Sequence, residues 1–466
     1  MKVLFVLPVF LWMAVAGWAQ SGESANAEAE SSPDEKIIRE LFDAALTQSE
    51  CYEVLRHLCK KIGPRLSGSP QAEASVEYIY EVMQRMGLDR VEKQACMVPH
   101  WVRGKPERAW FKSQNGKFEV PVCALGGSIG TGKKGVYAEV VEVFSLEEVQ
   151  NLDRKAVEGK IVFFNRPMEP RHLNTFHAYS GCVDQRGSGA TEASKKGALA
   201  VVVRSMNLRE DDFPHTGNQR YKDGVKPIPA SAISTRAADD LHAELARDPQ
   251  LKFFLQMNCE TLPDVESHNV IGEIRGTEFP DEIIVIGGHL DSWDLGEGAQ
   301  DDATGVVQGI EVLHLLKLLG HRPKRTIRAV AWMNEENGMR GALKYAEVAQ
   351  QRGERHIAGL ESDRGGLTPR GFTVDASDEI YNKVLSWKGL LEPYMLHDII
   401  PGYGGVDISP LRKQGTALFG FLPDSQRYFD FHHARTDVFE AVNKRELELG
   451  AASMAAFVYL ISEYGL

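Results

Sequence analysis

The sequence predicts an α/β fold: a mixed, mostly parallel sheet sandwiched by helices, with a β-rich block inserted into it. Three observations predict it. Beyond about Asp264, strand-like apolar runs alternate with helical periods, which builds a sheet covered on both faces. Between residues 119 and 262, short β-rich runs are punctuated by Gly, Pro and Asn. The 466 residues also exceed one ordinary domain, so a second domain or a large insertion is expected.

The elements follow in chain order. Lys2 precedes an apolar run, Val3–Ala16, and Gly17-Trp18-Ala19 offers the small residues of a cleavage site. Residues 1–19 therefore read as a signal peptide, too short to span a membrane, and 20–34 as a flexible leader. Residues 35–118 form the first part of the main domain. There Ile37, Ile38, Leu41, Phe42 and Leu46 lie at helical spacing. A Gly63-Pro64-Arg65-Leu66-Ser67-Gly68-Ser69-Pro70 string breaks the chain, and Pro70 opens a second helix stopped by Gly87. In the insert, 119–262, strands are expected over 135–143, 160–164 and 198–203, and a helix over 190–196. Ile228-Pro229-Ala230 leads towards another helix. In residues 263–466, strands are expected at 282–287 and 326–333, and helices at 305–319 and 447–463.

Composition narrows the functions. An apolar share of 43% and a charged share of 25% suit a globular protein with a sizeable core. A net charge of −12 with no basic run excludes a nucleic-acid partner. No later apolar segment of membrane-spanning length appears, so no membrane association is expected once the signal peptide is removed. The six cysteines show no paired CxxC spacing, which disfavours a thiolate metal cage and leaves any disulfide pairing open. No Asn-x-Ser/Thr acceptor is present.

The chemistry gathers at strand ends, where active sites of such sheets lie. The 282–287 strand runs into Gly288-His289-Leu290-Asp291, and Asp301-Asp302 follow a Gly-rich loop. His289 and Asp301, twelve residues apart, can reach one metal. Asp291 can hold the other imidazole nitrogen, while Asp302 suits a helix N-cap. After the 326–333 strand come Glu335 and Glu336, a pair able to divide metal binding from proton transfer. Asp363 adds a carboxylate, and His432-His433 supply imidazoles. Two imidazoles and three carboxylates suit zinc, and a carboxylate bridging two metals about 3.5–4 Å apart would let both act on one water.

This ordered set, with Asp437 four residues after His433, resembles the co-catalytic di-zinc aminopeptidase/glutamate carboxypeptidase family. The string from Gly63 to Pro70 is similar to a loop at the mouth of that group's site, and the inserted block resembles a protease-associated domain. The resemblance implies a zinc exopeptidase fold, two Zn2+ ions and a peptide or dipeptide substrate. It makes Asp301 the bridge, with His289 and Asp363 completing one site and Glu336 with His433 the other. Glu335 becomes the general base, passing the proton of the bridging water to the leaving amine. His433 is preferred as ligand because its spacing to Asp437 matches the family's His-x-x-x-Asp, which leaves His432 as an oxyanion donor. Arg364, directly after Asp363, departs from the small residue expected there. An exported exopeptidase, secreted or periplasmic, is the implied function, and a homodimer stays open, as does which substrate terminus is read. The rivals are a single-zinc glutaminyl-cyclase-type acyltransferase and a non-catalytic binding protein on the same scaffold. Gly126-Gly127-Ser128-Ile129-Gly130 imitates a serine-hydrolase elbow and overlaps a near-match to a phosphate loop, but no helix pattern follows it.

Overall fold

A computed structural model of the chain describes residues 32–466; the expected signal peptide lies outside them. Eight strands form the main sheet, in the order Arg90–Val102, Glu260–Ile274, Arg325–Trp332, Phe279–His289, Arg355–Glu361, Ala417–Pro423, Pro369–Asp375 and Asp398–Pro401. The central strands from Arg325–Trp332 to Ala417–Pro423 pair in parallel, and Pro369–Asp375 pairs in parallel with the last strand. The remaining pairings are antiparallel. The fold class is thus the mixed, mostly parallel α/β sheet that the strand–helix alternation predicts.

Alternation along the central strands explains why helices cover both faces. Ile284 and Ile286 join one buried cluster with the helices Pro33–Gln48, Thr304–Leu318 and Lys444–Tyr464. Val285, Val330 and Trp332 point the other way, into a cluster with Ala342, Tyr345 and Ala349 of the helix Arg340–Arg352. Each fully buried aliphatic side chain contributes about 1.5–3 kcal/mol, so a one-residue slip of these strands would turn both faces inside out. The Pro33–Gln48 helix is capped by Ser32 and Glu35 in a reciprocal capping box, and the Pro70–Arg85 helix by Ser69 just before Pro70.

The second sheet also has eight strands, in the order Gly116–Val120, Arg108–Ser113, Lys252–Gln256, Val136–Val143, Ile161–Phe164, Ala200–Arg204, Ala230–Ile233 and Val122–Ala124. Its strands begin at Arg108, ahead of residue 119, in a hairpin that exposes Arg108, Lys112, Lys117 and Glu119 and buries Ala109, Phe111 and Val120. The expected strands at 135–143, 160–164 and 198–203 are present within one or two residues. The helix expected at 190–196 instead runs Asp184–Lys195. Gly187 and Gly189 disguise its first turns, yet Gly189 is needed there: a Cβ would come within 2.8 Å of the Phe164 ring. Ser128 takes the backbone N–H of Ala230 at 2.8 Å, and no helix follows it, so the Gly-x-Ser-x-Gly string is a turn. All six cysteines are buried and unpaired.

Candidate metal centre

The sequence-predicted residues converge at the carboxyl ends of the parallel strands. His289 ends its strand, Glu335 and Glu336 lie just beyond Trp332, and Asp363 lies two residues past Glu361. The loop preceding the Thr304–Leu318 helix delivers Asp301 between them. His289 Nε2 stands 3.3 Å from Asp301 Oδ1 and 3.4 Å from Asp363 Oδ1. His433 Nε2 stands 3.4 Å from the other Asp301 oxygen, Oδ2, and 3.2 Å from Glu336 Oε2. Asp301 therefore faces His289 with one oxygen and His433 with the other, which His432 Nε2 also approaches at 3.9 Å; His289 and His433 each have a carboxylate of their own.

Main-chain carbonyls set both rings. His289 Nδ1 donates to the carbonyl of Asp291 at 2.9 Å, and His433 Nδ1 lies 3.3 Å from the carbonyl of Thr216. A carbonyl only accepts, so Nδ1 of His289 carries a hydrogen and Nε2 is the nitrogen left to face the carboxylates; at His433 it is likewise Nε2 that faces Asp301 and Glu336. Burial disfavours a second proton on His289, but the carboxylates of Asp301 and Asp363 outweigh it and hold its pKa well above the ordinary value. At His433, burial, with His432 and Arg186 nearby, pushes the pKa well below. Asp301 Oδ2 is buried without a hydrogen-bond donor.

These donors fit zinc. Ligands about 2.1 Å from a tetrahedral zinc lie about 3.4 Å from one another, which is the spacing of the four imidazole–carboxylate pairs above. A cation at each cluster would replace the proton on His289 and satisfy the orphaned Asp301 oxygen.

The supporting residues explain why the loops hold still. Asp291 was expected to hold His289 through its carboxylate. Its carbonyl does so, while the carboxylate, 3.9 Å from the ring, accepts the N–H groups of Asn334 at 2.6 Å and Glu335 at 3.0 Å. Asp291 thereby ties the two strand ends together. Asp302 takes the His289 N–H at 3.0 Å and the Gly305 N–H at 3.1 Å; it lies one residue before the N-cap, which is Ala303 and not Asp302. Gly305 permits this approach, because a Cβ there would collide with Ser362 O and the Asp302 carboxylate. Asp437 accepts from Gln300 N at 2.7 Å and Asp301 N at 3.1 Å, and burial pushes its pKa up to about 7. Glu336 keeps its second oxygen on the N–H of Trp293, at 3.0 Å.

Two residues carry weight that sequence reasoning missed. Arg65, fully buried, donates to the carbonyls of Leu290, Glu297 and Gly298 at 2.6–2.8 Å and so braces the loop between His289 and Asp301. Its place in the Gly-Pro-Arg-Leu-Ser-Gly-Ser-Pro string was the available signal. Arg186, on the second-sheet helix, approaches His433 Nδ1 at 3.3 Å and donates to Tyr179 Oη at 2.5 Å. No local pattern announced it.

A cavity of about 870 Å³ opens over the cluster, with Glu335, Asp363, His432 and Tyr428 in its lining and the Asp184–Lys195 helix on its far side. Burial first, then the charges of Asp363 and Asp301, push Glu335 up to about 8. His432 stacks on His433 with ring centroids 3.5 Å apart, and burial lowers its pKa to about 3, so it stays neutral.

A helix-covered mixed sheet that gathers imidazoles and carboxylates at its strand ends is the architecture of a class of zinc-dependent metallopeptidases, and this hydrolase is one of that class. Residues 269–458 match peptidase family M28. Carboxypeptidase Q of Homo sapiens is 35% identical over 431 residues, covering 92% of this chain and 88% of its own; that of Rattus norvegicus is 34% identical over 469 residues, covering 99% and 97%. The crystal structure of a peptidase M28 precursor from Shewanella amazonensis superposes with a TM-score of 0.88 at 33% identity, covering 92% of this chain and 96% of its own. A zinc aminopeptidase of Bacillus subtilis shares the fold, with a TM-score of 0.62 at 21% identity over 88% and 94% of the two chains. The chain belongs to peptidase family M28.

Proposed function

We propose that this metallopeptidase is an exported dinuclear zinc exopeptidase that releases residues from dipeptides or short peptides. In this reading Asp301 would be shared by two Zn2+ ions, one held also by His289 and Asp363 and the other by Glu336 and His433. The observation that carries it is the double-sided approach to Asp301, with His289 nearest one carboxylate oxygen, His433 nearest the other, and a private carboxylate beside each of the two. Bound there, zinc supplies Lewis acidity towards water and the scissile carbonyl. Glu335 lines the cavity beside the cluster, 4.0 Å from His289 Nε2. It accepts the proton of the attacking water and returns it to the departing amine, a role favoured by a raised carboxyl pKa. His432, neutral and facing the same cavity, donates an N–H to the oxygen that gains charge. The second-sheet layer, read as an inserted protease-associated domain over residues 119–262, supplies Arg186 and Thr216 to the site. Among the described residues no helix is long and apolar enough to cross a membrane; export rests on the Val3–Ala16 run.

The test is hydrolysis of free, N-blocked and C-amidated dipeptides by the mature protein, with zinc counted per chain and a chelator control. Glu335→Gln should keep its zinc and lose about 10²- to 10⁴-fold in kcat. One zinc per chain would favour the single-zinc transferase reading. Two zincs with no hydrolysis would sink the peptidase reading in favour of a binding protein.

A further inference from the structure

A second cavity, of about 590 Å³, adjoins the one over the metal centre, and Phe176 and Tyr403 line both. Arg364, the residue after Asp363, lies in its wall. Its guanidinium sits over the Phe176 ring at 5.5 Å and donates one hydrogen bond, from Nη2 to the carbonyl of Tyr403 at 3.2 Å. Among the described residues it makes no ion pair, although a guanidinium offers five donors. The other arginine of the cavity, Arg370, is already neutralised by Asp424 at 2.9 Å. The remaining acid of the lining, Asp398, pairs with neither arginine within 4.0 Å. Leu422, Ile400 and Pro423 make the rest of the lining partly apolar.

A partly buried guanidinium placed over an aromatic ring, with most of its donors unused, is prepared for a planar, bidentate anion. We infer that this side cavity is a substrate pocket in which Arg364 receives a carboxylate carried past Phe176 and Tyr403 from the metal centre. The apolar lining suits the methylene stem or aliphatic side chain that accompanies such a group. The carboxylate comes either from an acidic side chain or from the C-terminus of a longer peptide. Calling the occupant a substrate rests on the exopeptidase reading; the pocket's chemistry does not.

Calorimetric binding to the zinc-loaded, full-length Glu335→Gln protein tests it with two matched pairs. Gly-Glu against Gly-Gln reports a side-chain carboxylate, and Gly-Gly-Gly against its C-terminal amide reports a chain terminus. At least one pair should differ by about tenfold in Kd, the scale of a charge-assisted hydrogen bond. The difference should vanish in Arg364→Ala and in Arg364→Gln, which keeps an amide donor for the Tyr403 carbonyl. Equal affinities in both pairs, or a preference that survives both substitutions, overturn the inference. If discrimination depends on Arg364 yet the wild-type enzyme hydrolyses none of the four peptides, the pocket stands and the exopeptidase reading falls.

Discussion

Replacing Asp437 by Asn should weaken zinc binding by about tenfold to a hundredfold while leaving every proposed ligand in place. Asp437 is buried and gives one oxygen to the N–H of Gln300 and the other to the N–H of Asp301. Asparagine has one oxygen to offer; its NH2 would oppose the second N–H. The loss is one hydrogen bond to a charged acceptor, about 1.5–3 kcal/mol. That energy now fixes the main chain at the residue facing both imidazoles, so it is lost from the ligand geometry. At about 1.4 kcal/mol per tenfold, the expected loss matches the 10–100-fold typical of residues that orient ligands. Competition against a chelator of known zinc affinity, with the metal counted in the purified variant, measures it. Affinity within about twofold of wild type, in a variant with unchanged secondary structure, would refute the idea that Asp437 positions Asp301.

Arg65→Lys should lower the unfolding free energy by about 3 kcal/mol, since one ammonium cannot reproduce a planar fork on three carbonyls and buried acceptors are left unpaired; an unchanged denaturation midpoint would contradict that. Gly305→Ala should cost about 1–3 kcal/mol by overpacking and should also reduce zinc content, because the neighbours to be displaced are Ser362 O, beside Asp363, and the Asp302 carboxylate that holds His289 N; normal zinc content would count against this coupling. Metal-free protein should be more stable at pH 5 than at pH 8.5. Glu335 and Glu361 are raised to about 8 and Asp437 to about 7, chiefly by burial. Each raised acid therefore favours the fold fully below its unfolded value near pH 4, and that contribution is lost as pH rises through 7–8. Zinc, whose proposed ligands Asp301, Asp363 and Glu336 bind it ionised and His289 and His433 neutral, should reverse the trend. Thermal melts across that range, with and without zinc, read both slopes.

The site was legible wherever its residues follow a strand end closely. His289, Glu335, Glu336 and Asp363 all sit at or within four residues of the end of a strand whose apolar run is unmistakable. Asp302 was marked by its place just before a helix, and Asp437 by spacing. Arg65, Arg186 and Thr216 were not read, because their partners lie 225, 247 and 217 residues away and no local period encodes such distances. Arg186 was hidden twice, since Gly187 and Gly189 interrupt the first turns of its helix. Each glycine costs about 1 kcal/mol in a helix interior, and only the packing of Gly189 against Phe164, invisible in one dimension, explains its place there. The hairpin at Arg108–Val120 escaped because the expected boundary at 119 cut through it: its buried residues Ala109, Phe111 and Val120 pack with Phe253 and Leu255 of a strand far along the chain.

The contact between His433 and Thr216 joins a loop of the main-sheet layer to a loop of the other. Thr216 N also donates to His433 O at 2.9 Å, so the two residues are stitched in both directions. Any ion that settles on His433 is then a rivet through both layers. Reciprocity makes the consequence quantitative: the free energy by which the rivet steadies the Thr216 segment equals that by which the segment tightens the ion. Amide exchange at residues 214–219 would thus report metal occupancy from the far side of the seam, and a substitution that loosens that loop would be felt as an escaping ion.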